Sequence, residues 1–170
     1  MKKFSLLCYV LFTIMVFFTA YCGSSAEKKG EKKSEKMGAI VTIDSVVAKA
    51  GDSLNVPISL ENSEAIAGMQ LKIQFDPKIL TVDKPMVTKR STEMLVMHNV
   101  KNNELLIMMY NLSGKSIDPG TGPVLMIPMK VSQSAVGSSA LDLLEAILAK
   151  QDAQTVQSTW KSGEVVIKKR

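Results

Sequence analysis

The chain has 170 residues, of which 46% are hydrophobic and only 5% aromatic, and its formal net charge is +5. Residues 1–36 hold seven lysines and three glutamates, which leaves 14 basic and 13 acidic residues in the rest of the chain. This nearly neutral remainder does not favour nucleic-acid binding. Because no cysteine follows Cys22, a disulfide framework is excluded there.

Residues 1–22 have the pattern of an export signal, in which Lys2 and Lys3 precede an uncharged apolar run. The run ends at Cys22, within the sequence TAYCGSS, and this arrangement resembles the lipidation site of bacterial lipoproteins. Tyr21 departs from that pattern, which prefers a small residue there. An uncleaved N-terminal membrane anchor is the alternative. Both interpretations predict an exported, membrane-anchored chain that faces the periplasm or the cell exterior.

Residues 23–37 are predicted to form a flexible charged tether. The sequence AEKKGEKKSEK over 26–36 has no apolar side chain larger than alanine, so it cannot bury enough surface to offset the entropy of ordering. We therefore expect a single folded domain over 38–170, where short apolar runs alternate with turn residues.

Two segments of this domain alternate clearly between apolar and polar residues. Leu54–Leu60 is apolar at even positions, and Met69–Phe75 is apolar at odd positions, which predicts two half-buried strands. Asp76 and Pro77 end the second strand, since proline cannot donate to a sheet ladder.

Further apolar runs predict the remaining strands. These runs are Ile40–Val47, Ile79–Val82, Met94–Val100, Glu104–Tyr110, Val124–Val131, Leu141–Leu148 and Glu164–Lys168. Turn residues separate them, among others at Asn102–Asn103, Ser113–Gly114 and Asp118–Pro123. The fold class indicated is all-β, an antiparallel sandwich of about nine strands. The segment 141–149 fits a helical period equally well, and we predict a strand there.

The residues do not form a pattern typical of an enzyme or a metal site. His98 is the only histidine, and the carboxylates are scattered beside turns without an Asp-x-Asp ladder. We expect no catalytic residue, no metal and no cofactor. Past the tether the only aromatic residues are Phe75, Tyr110 and Trp160. Phe75 is predicted to point inward, so only Tyr110 and Trp160 remain to stack on a sugar ring.

The runs Leu105–Tyr110 and Val124–Met129 are apolar on both faces and rich in methionine. A strand buried on one side should show a polar face. Either these strands are central and covered by loops, or one sheet exposes an apolar patch that binds a partner.

The order of motifs resembles the cohesin domain family. A Gly-Asp pair precedes a strand containing VPI, and IAGMQLKIQFDPKIL follows over 66–80. Downstream come YNLSG at 110–114, GTGPVL at 120–125 and GEVVI at 163–167. The resemblance covers about 40–167, and FDP at 75–77 is its most specific part.

The resemblance implies a nine-stranded jelly-roll sandwich that binds dockerins, the small calcium-loop modules of other exported, often polysaccharide-degrading, proteins. It also implies a binding row on the strand at 66–75. Where family members have an Asn and an Asp, this chain has Gly68 and Gln70. The predicted partner-binding residues are Gly68, Gln70, Lys72, Gln74, Met108 and Tyr110.

Two alternatives to a docking module stay open from the sequence. One is a weak carbohydrate-binding module that uses Trp160 and Tyr110. The other is a structural or adhesive envelope domain without a soluble ligand.

Overall fold

A computed structural model describes residues 38–168. The predicted export signal, the lipidation site at Cys22 and the tether over 23–37 lie outside the described residues. Residues from Lys36 to Arg170 cluster into one compact unit. Within the described part of the chain, no helix is long and apolar enough to span a membrane.

The described residues form strands joined by turns and a single short 3₁₀ helix, Lys89–Ser91. In chain order the strands are β1 (Ala39–Ile43), β2 (Val46–Lys49), β3 (Ser53–Asn62), β4 (Gly68–Gln74), β5 (Leu80–Val82), β6 (Met86–Val87), β7 (Leu95–Lys101), β8 (Glu104–Tyr110), β9 (Gly120–Val131), β10 (Gly137–Ala149), β11 (Thr155–Val156), β12 (Ser158–Lys161) and β13 (Gly163–Lys168).

The strands make two sheets. A six-stranded sheet has the order β12-β1-β3-β9-β5, with β6 also paired to β9. A seven-stranded sheet has the order β2-β13-β10-β4-β8-β7, with β11 also paired to β10. The side chains between the sheets are apolar and almost fully buried, as at Val56, Leu71 and Ile107. The predicted all-β sandwich is confirmed.

Two details differ from the prediction of about nine antiparallel strands. The pairs β1–β12 and β2–β13 are parallel, because the first and last stretches of the chain run side by side. Both stretches also cross from one sheet to the other, which divides them into shorter strands. With β1–β2, β5–β6 and β11–β13 each counted as one interrupted strand, the thirteen strands reduce to nine.

Serines lie at both crossings between the sheets. Ser45 follows β1, and its hydroxyl accepts a hydrogen bond from the backbone N–H of Glu164 at 3.2 Å. Ser162 precedes β13, and its hydroxyl accepts one from the N–H of Leu143 at 3.0 Å. These hydroxyls supply hydrogen-bond partners to amide groups where the ladder is interrupted.

The alternation predicted for β3 and β4 is confirmed. Met69, Leu71, Ile73 and Phe75 are buried, while the residues between them are partly exposed. The strand predicted over 141–149 is also confirmed as part of β10.

The structure corrects the predicted turn at 118–123, since β9 already begins at Gly120. Gly120 and Gly122 have φ angles of 150° and 136°, which side-chain-bearing residues seldom adopt. A bulge follows: Ile58 pairs with Leu125 and Ser59 with Pro123, so Val124 is the extra residue. Val124 and Leu125 are therefore both buried. The bulge accounts for two consecutive buried residues, while Met126 and Pro128 lie on the outer side of β9 and are partly exposed.

Candidate functional site

The outer side of the seven-stranded sheet is the candidate site. Strands β7, β8, β4 and β10 lie next to one another there, and each turns alternate side chains away from the core. Because strand register places partners opposite each other, these outward side chains fall into rows that cross the four strands. We call this surface the outer face.

Two rows of the outer face carry no charge. The first row is Leu95, Tyr110, Gly68 and Ala149. The second row is Met97, Met108, Gln70 and Ile147. Leu95, Met97, Met108 and Ile147 are large apolar side chains that are 41–58% exposed. Leu95, Met97 and Met108 are neighbours, and Gln70 separates Met108 from Ile147. Groups of exposed apolar side chains can mark interaction surfaces.

The other two rows are mixed or charged. The third row is Asn99, Leu106, Lys72 and Glu145. The fourth row is Lys101, Glu104, Gln74 and Asp142. The outer face therefore changes along the strands from apolar to charged.

The polar side chains on the face contact one another. Gln70 donates from Nε2 to Oε2 of Glu145 at 3.3 Å. Lys72 Nζ lies 3.1 Å from Oε2 of Glu104, and both side chains are about 40% exposed. The first contact joins the second row to the third, and the second contact joins the third row to the fourth.

Tyr110 and Met97 also meet on this face. The phenol O–H of Tyr110 donates to the sulfur of Met97 at 3.3 Å. The contact links the neighbouring strands β8 and β7, and it joins a side chain of the first row to one of the second row.

All six predicted partner-binding residues lie on the outer face. Gly68, Gln70, Lys72 and Gln74 are the outward residues of β4, and Met108 and Tyr110 lie opposite on β8. Of the two alternatives for Leu105–Tyr110, the structure supports the exposed patch, since Met108 is 46% exposed while Leu105, Ile107 and Met109 are buried.

Sequence reasoning missed the residues that β7 and β10 add to the face. Leu95, Met97, Leu144 and Ile147 are exposed apolar side chains on these strands. The methionine-rich run 94–100 indicated apolar side chains in this region. Only the pairing between strands shows which of its residues lie beside those of β4 and β8 on the outer face.

The structure does not bring the two predicted sugar-stacking residues together. Trp160 lies on β12, at the edge of the six-stranded sheet, where it pairs with Val41. Tyr110 lies on β8 of the other sheet. A shared aromatic platform is therefore not formed.

An open cleft of 780 Å³ adjoins the first row, between the loops that flank the face strands. Glu64 and Lys150 form an ion pair there. The hydrogen bond to Glu64 raises the pKa of Lys150 above its ordinary value. No group of three or more acidic, His or Cys side chains that could hold a metal occurs among residues 38–168. His98 is exposed on β7.

The 3₁₀ helix is held to the far end of the six-stranded sheet by Arg90. Its guanidinium donates to the carbonyl oxygens of Gly122 and Asp118, both at 3.1 Å, and also to Leu60 O and Asn62 Oδ1. Burial lowers the pKa of Arg90 from its ordinary value, while Asp118 opposes this shift. Through these contacts Arg90 links the 3₁₀ helix to β3 and to the start of β9.

Solved structures share this fold. A non-cellulosomal cohesin from Archaeoglobus fulgidus is 20% identical with a TM-score of 0.67, over 78% of this chain and 92% of that one. A type I cohesin from Clostridium thermocellum, solved with the dockerin Doc918, is 22% identical with a TM-score of 0.69, over 77% and 99%. A cohesin from Clostridium acetobutylicum, CaCohA2, is 15% identical with a TM-score of 0.65, over 76% and 90%.

No curated protein sequence matches the chain significantly. The model of the cohesin domain family matches residues 39–167, which is most of the chain and nearly all of the described part. This match confirms the resemblance that the sequence motifs indicated. The chain therefore belongs to the cohesin domain family.

Proposed function

We propose that this chain is a non-catalytic docking module that binds the dockerin-like module of another exported protein through the outer face. One observation carries the proposal: a cohesin-family sandwich exposes two adjacent uncharged rows with four large apolar side chains. Covering such a surface with a partner is favourable, by about 25 cal/mol for each Å² of apolar area removed from water.

The solved relatives support a dockerin as the partner. Two cohesins from Clostridium thermocellum were solved in complex with dockerins, one with Doc918 and one with Doc435. Dockerins fold around calcium, so a dockerin partner should be recognised only when calcium is present. We further propose a context of polysaccharide degradation, which is where dockerin-bearing enzymes act.

A pull-down tests this proposal. The unit Lys36–Arg170 is a suitable bait, because the solved cohesins that it matches are chains of nearly the same extent. It would be immobilised and exposed to the secreted proteins of the source organism, with and without a calcium chelator. We expect a partner that is captured with calcium and lost with the chelator. Capture of no protein in either condition would contradict dockerin binding.

We also propose that the module is exported and held at a membrane through lipidated Cys22. The support is the sequence pattern of residues 1–22. In cells fed a radiolabelled fatty acid, the full-length chain should become labelled and the Cys22→Ala variant should not. An unlabelled wild-type chain would contradict lipidation and leave the uncleaved anchor as the explanation.

A further inference from the structure

We propose that the free edge of β7 is a second interaction site, and that its partner is β7 of a second copy of this chain. The two strands pair antiparallel, so that the seven-stranded sheets of two copies join into one continuous sheet. The site is the backbone at the edge of the sheet, not the outer face. The inference therefore goes beyond the proposed function and does not rest on it.

β7 differs from the other edge strands of the two described sheets. It ends the seven-stranded sheet and pairs on one side only, with β8. It has seven residues, whereas the edge strands β2, β5, β6 and β12 have two to four. Pro85 also separates β5 from β6. Short strands, prolines and bulges are the features that keep sheet edges from pairing with other chains. β7 contains no proline, and its pairing with β8 has no bulge.

The hairpin of β7 and β8 determines which backbone groups point to the open edge. Lys101 pairs with Glu104 across a two-residue turn, in which Asn102 has a φ angle of 57°. The residues that flank such a turn form the first hydrogen-bonded pair, and bonded pairs then alternate along the strands. Every second residue before Lys101 therefore bonds to β8. The residues between them direct their N–H and C=O groups to the open edge: Val96, His98 and Val100.

These backbone groups need a strand as their partner. Among the described residues, no other strand or loop bonds to the backbone of Val96, His98 or Val100. Donors and acceptors that alternate along an extended edge are matched by the same pattern on another strand. An antiparallel second copy of β7 places Val96 opposite Val100 and His98 opposite itself. Each bonded pair exchanges two hydrogen bonds, so the three pairs give about six.

The side chains favour this register and a second copy as the partner. Shifting the register by two residues leaves only two of the three bonded pairs within β7. In the centred register Met97 lies opposite Asn99, and Leu95 lies opposite Lys101. Lys101 is the only lysine, arginine or carboxylate on β7. The two copies of Lys101 are about 20 Å apart, at opposite ends of the paired strands, so no like charges face each other.

The paired strands also cover apolar surface. Leu95, Met97 and Val100 are 41–58% exposed in the single chain. Pairing along one edge buries less area than a standard interface, so we expect a dissociation constant of about 10–100 µM.

The symmetry of the pairing fixes where the outer faces lie. Two antiparallel copies of one strand are related by a two-fold axis normal to the sheet. Residues on the outer side of β7 in one copy are therefore on the outer side in the other. The joined sheet presents both outer faces to the same side. A partner that carries two docking modules would then bind the pair more tightly than a single chain.

The mass of Lys36–Arg170 in solution tests the pairing. Sedimentation equilibrium from about 1 µM to about 300 µM should show a dimer that forms with the expected dissociation constant. His98→Pro removes the N–H at the centre of the pairing but no bond to β8, so the variant should fold, with an unchanged far-UV circular dichroism spectrum. We expect it to dimerise at least about tenfold more weakly than the wild type.

Introduced cysteines test the register independently of the proline variant. Residues 36–170 contain no cysteine, so a single new one reports its own contact. His98→Cys brings the two Cα atoms to about 5.5 Å, within the range of a disulfide. Val100→Cys, the matched control, leaves the two copies about 13 Å apart along the strands. Under mild oxidation, we expect His98→Cys to form a covalent dimer at least about tenfold faster than Val100→Cys.

Three results would overturn the inference. These are a wild-type chain that stays monomeric at about 300 µM, equal cross-linking of the two cysteine variants, and a dimer that Met108→Glu abolishes while a folded His98→Pro leaves it intact. The pull-down is a separate outcome. Dockerin capture by a wild-type chain that stays monomeric would keep the proposed function and reject the pairing. Dimer formation without dockerin capture would do the reverse.

Discussion

At the scale of single residues, two glycines differ in whether the surrounding structure leaves room for a side chain. Gly163 lies at a crossing between the sheets, where an added Cβ would be 2.5 Å from the carbonyl oxygen of Ile43. Gly68 lies on the outer face, where an added Cβ would meet Met109 O at an ordinary 3.7 Å. Gly163 is therefore required by packing, and Gly68 is not.

We expect Gly163→Ala to lower the free energy of unfolding by more than about 2 kcal/mol, because backbone must move to admit the methyl group. Gly68→Ala is the matched control and should change it by less than about 0.5 kcal/mol. Urea denaturation of both variants measures the difference. A destabilisation of similar size at both sites would contradict the packing described at the sheet crossing.

Arg90 donates hydrogen bonds to three backbone carbonyl oxygens. Its planar guanidinium reaches acceptors on β3, on β9 and before β9, which a lysine ammonium cannot do at the same time. We expect Arg90→Lys to lower the free energy of unfolding by about 2 kcal/mol. Lys89→Ala, a neighbouring exposed cation, should have almost no effect in the same urea titration. Full stability of Arg90→Lys would show that the fork geometry is unimportant.

At the scale of elements, a bulge in β10 explains why the sequence of 141–149 fitted a helical period as well as a strand. Leu143 pairs with Ile73 and Glu145 with Lys72, so Leu144 is an extra residue that forms a bulge. The inward residues are Leu141, Leu143, Ala146 and Leu148. This pattern changes phase in the middle, and a period of two fits it no better than a helical period. β4 contains no such bulge, and its simple alternation predicted both the strand and its buried face.

Deleting Leu144 should therefore be tolerated, since it removes the bulge and leaves both halves of β10 in register. We expect a loss of about 1 kcal/mol or less in the free energy of unfolding. Deleting Ala146 should cost more than about 3 kcal/mol, because unbulged pairing would then place Glu145 at a buried position. Thermal or urea unfolding of the two deletion variants compares them directly. Equal losses would mean that Leu144 does not act as a bulge.

At the scale of the whole molecule, the sequence predicted the sandwich and the β4–β8 part of the candidate site. Those two strands could be found because their patterns and motifs are local. The outer face as a whole could not be, because Ile147 is brought beside Gln70 by register between strands that are distant in the chain. Met97 lies beside Met108 through the register of the β7–β8 hairpin, which the apolar pattern alone does not give. The two parallel pairs could not be predicted either, because apolar periodicity carries no information about strand direction.

The outer face is the proposed docking surface, and one measurement tests this proposal most directly. The pull-down from secreted proteins in calcium would be repeated with Met108→Glu, which places a charge in the middle of the second row, and with Val136→Glu, which places one elsewhere on the surface. We predict that Val136→Glu captures the same partner as the wild type and that Met108→Glu captures at least about tenfold less. Equal capture by Met108→Glu would contradict the claim and place the binding site on another surface.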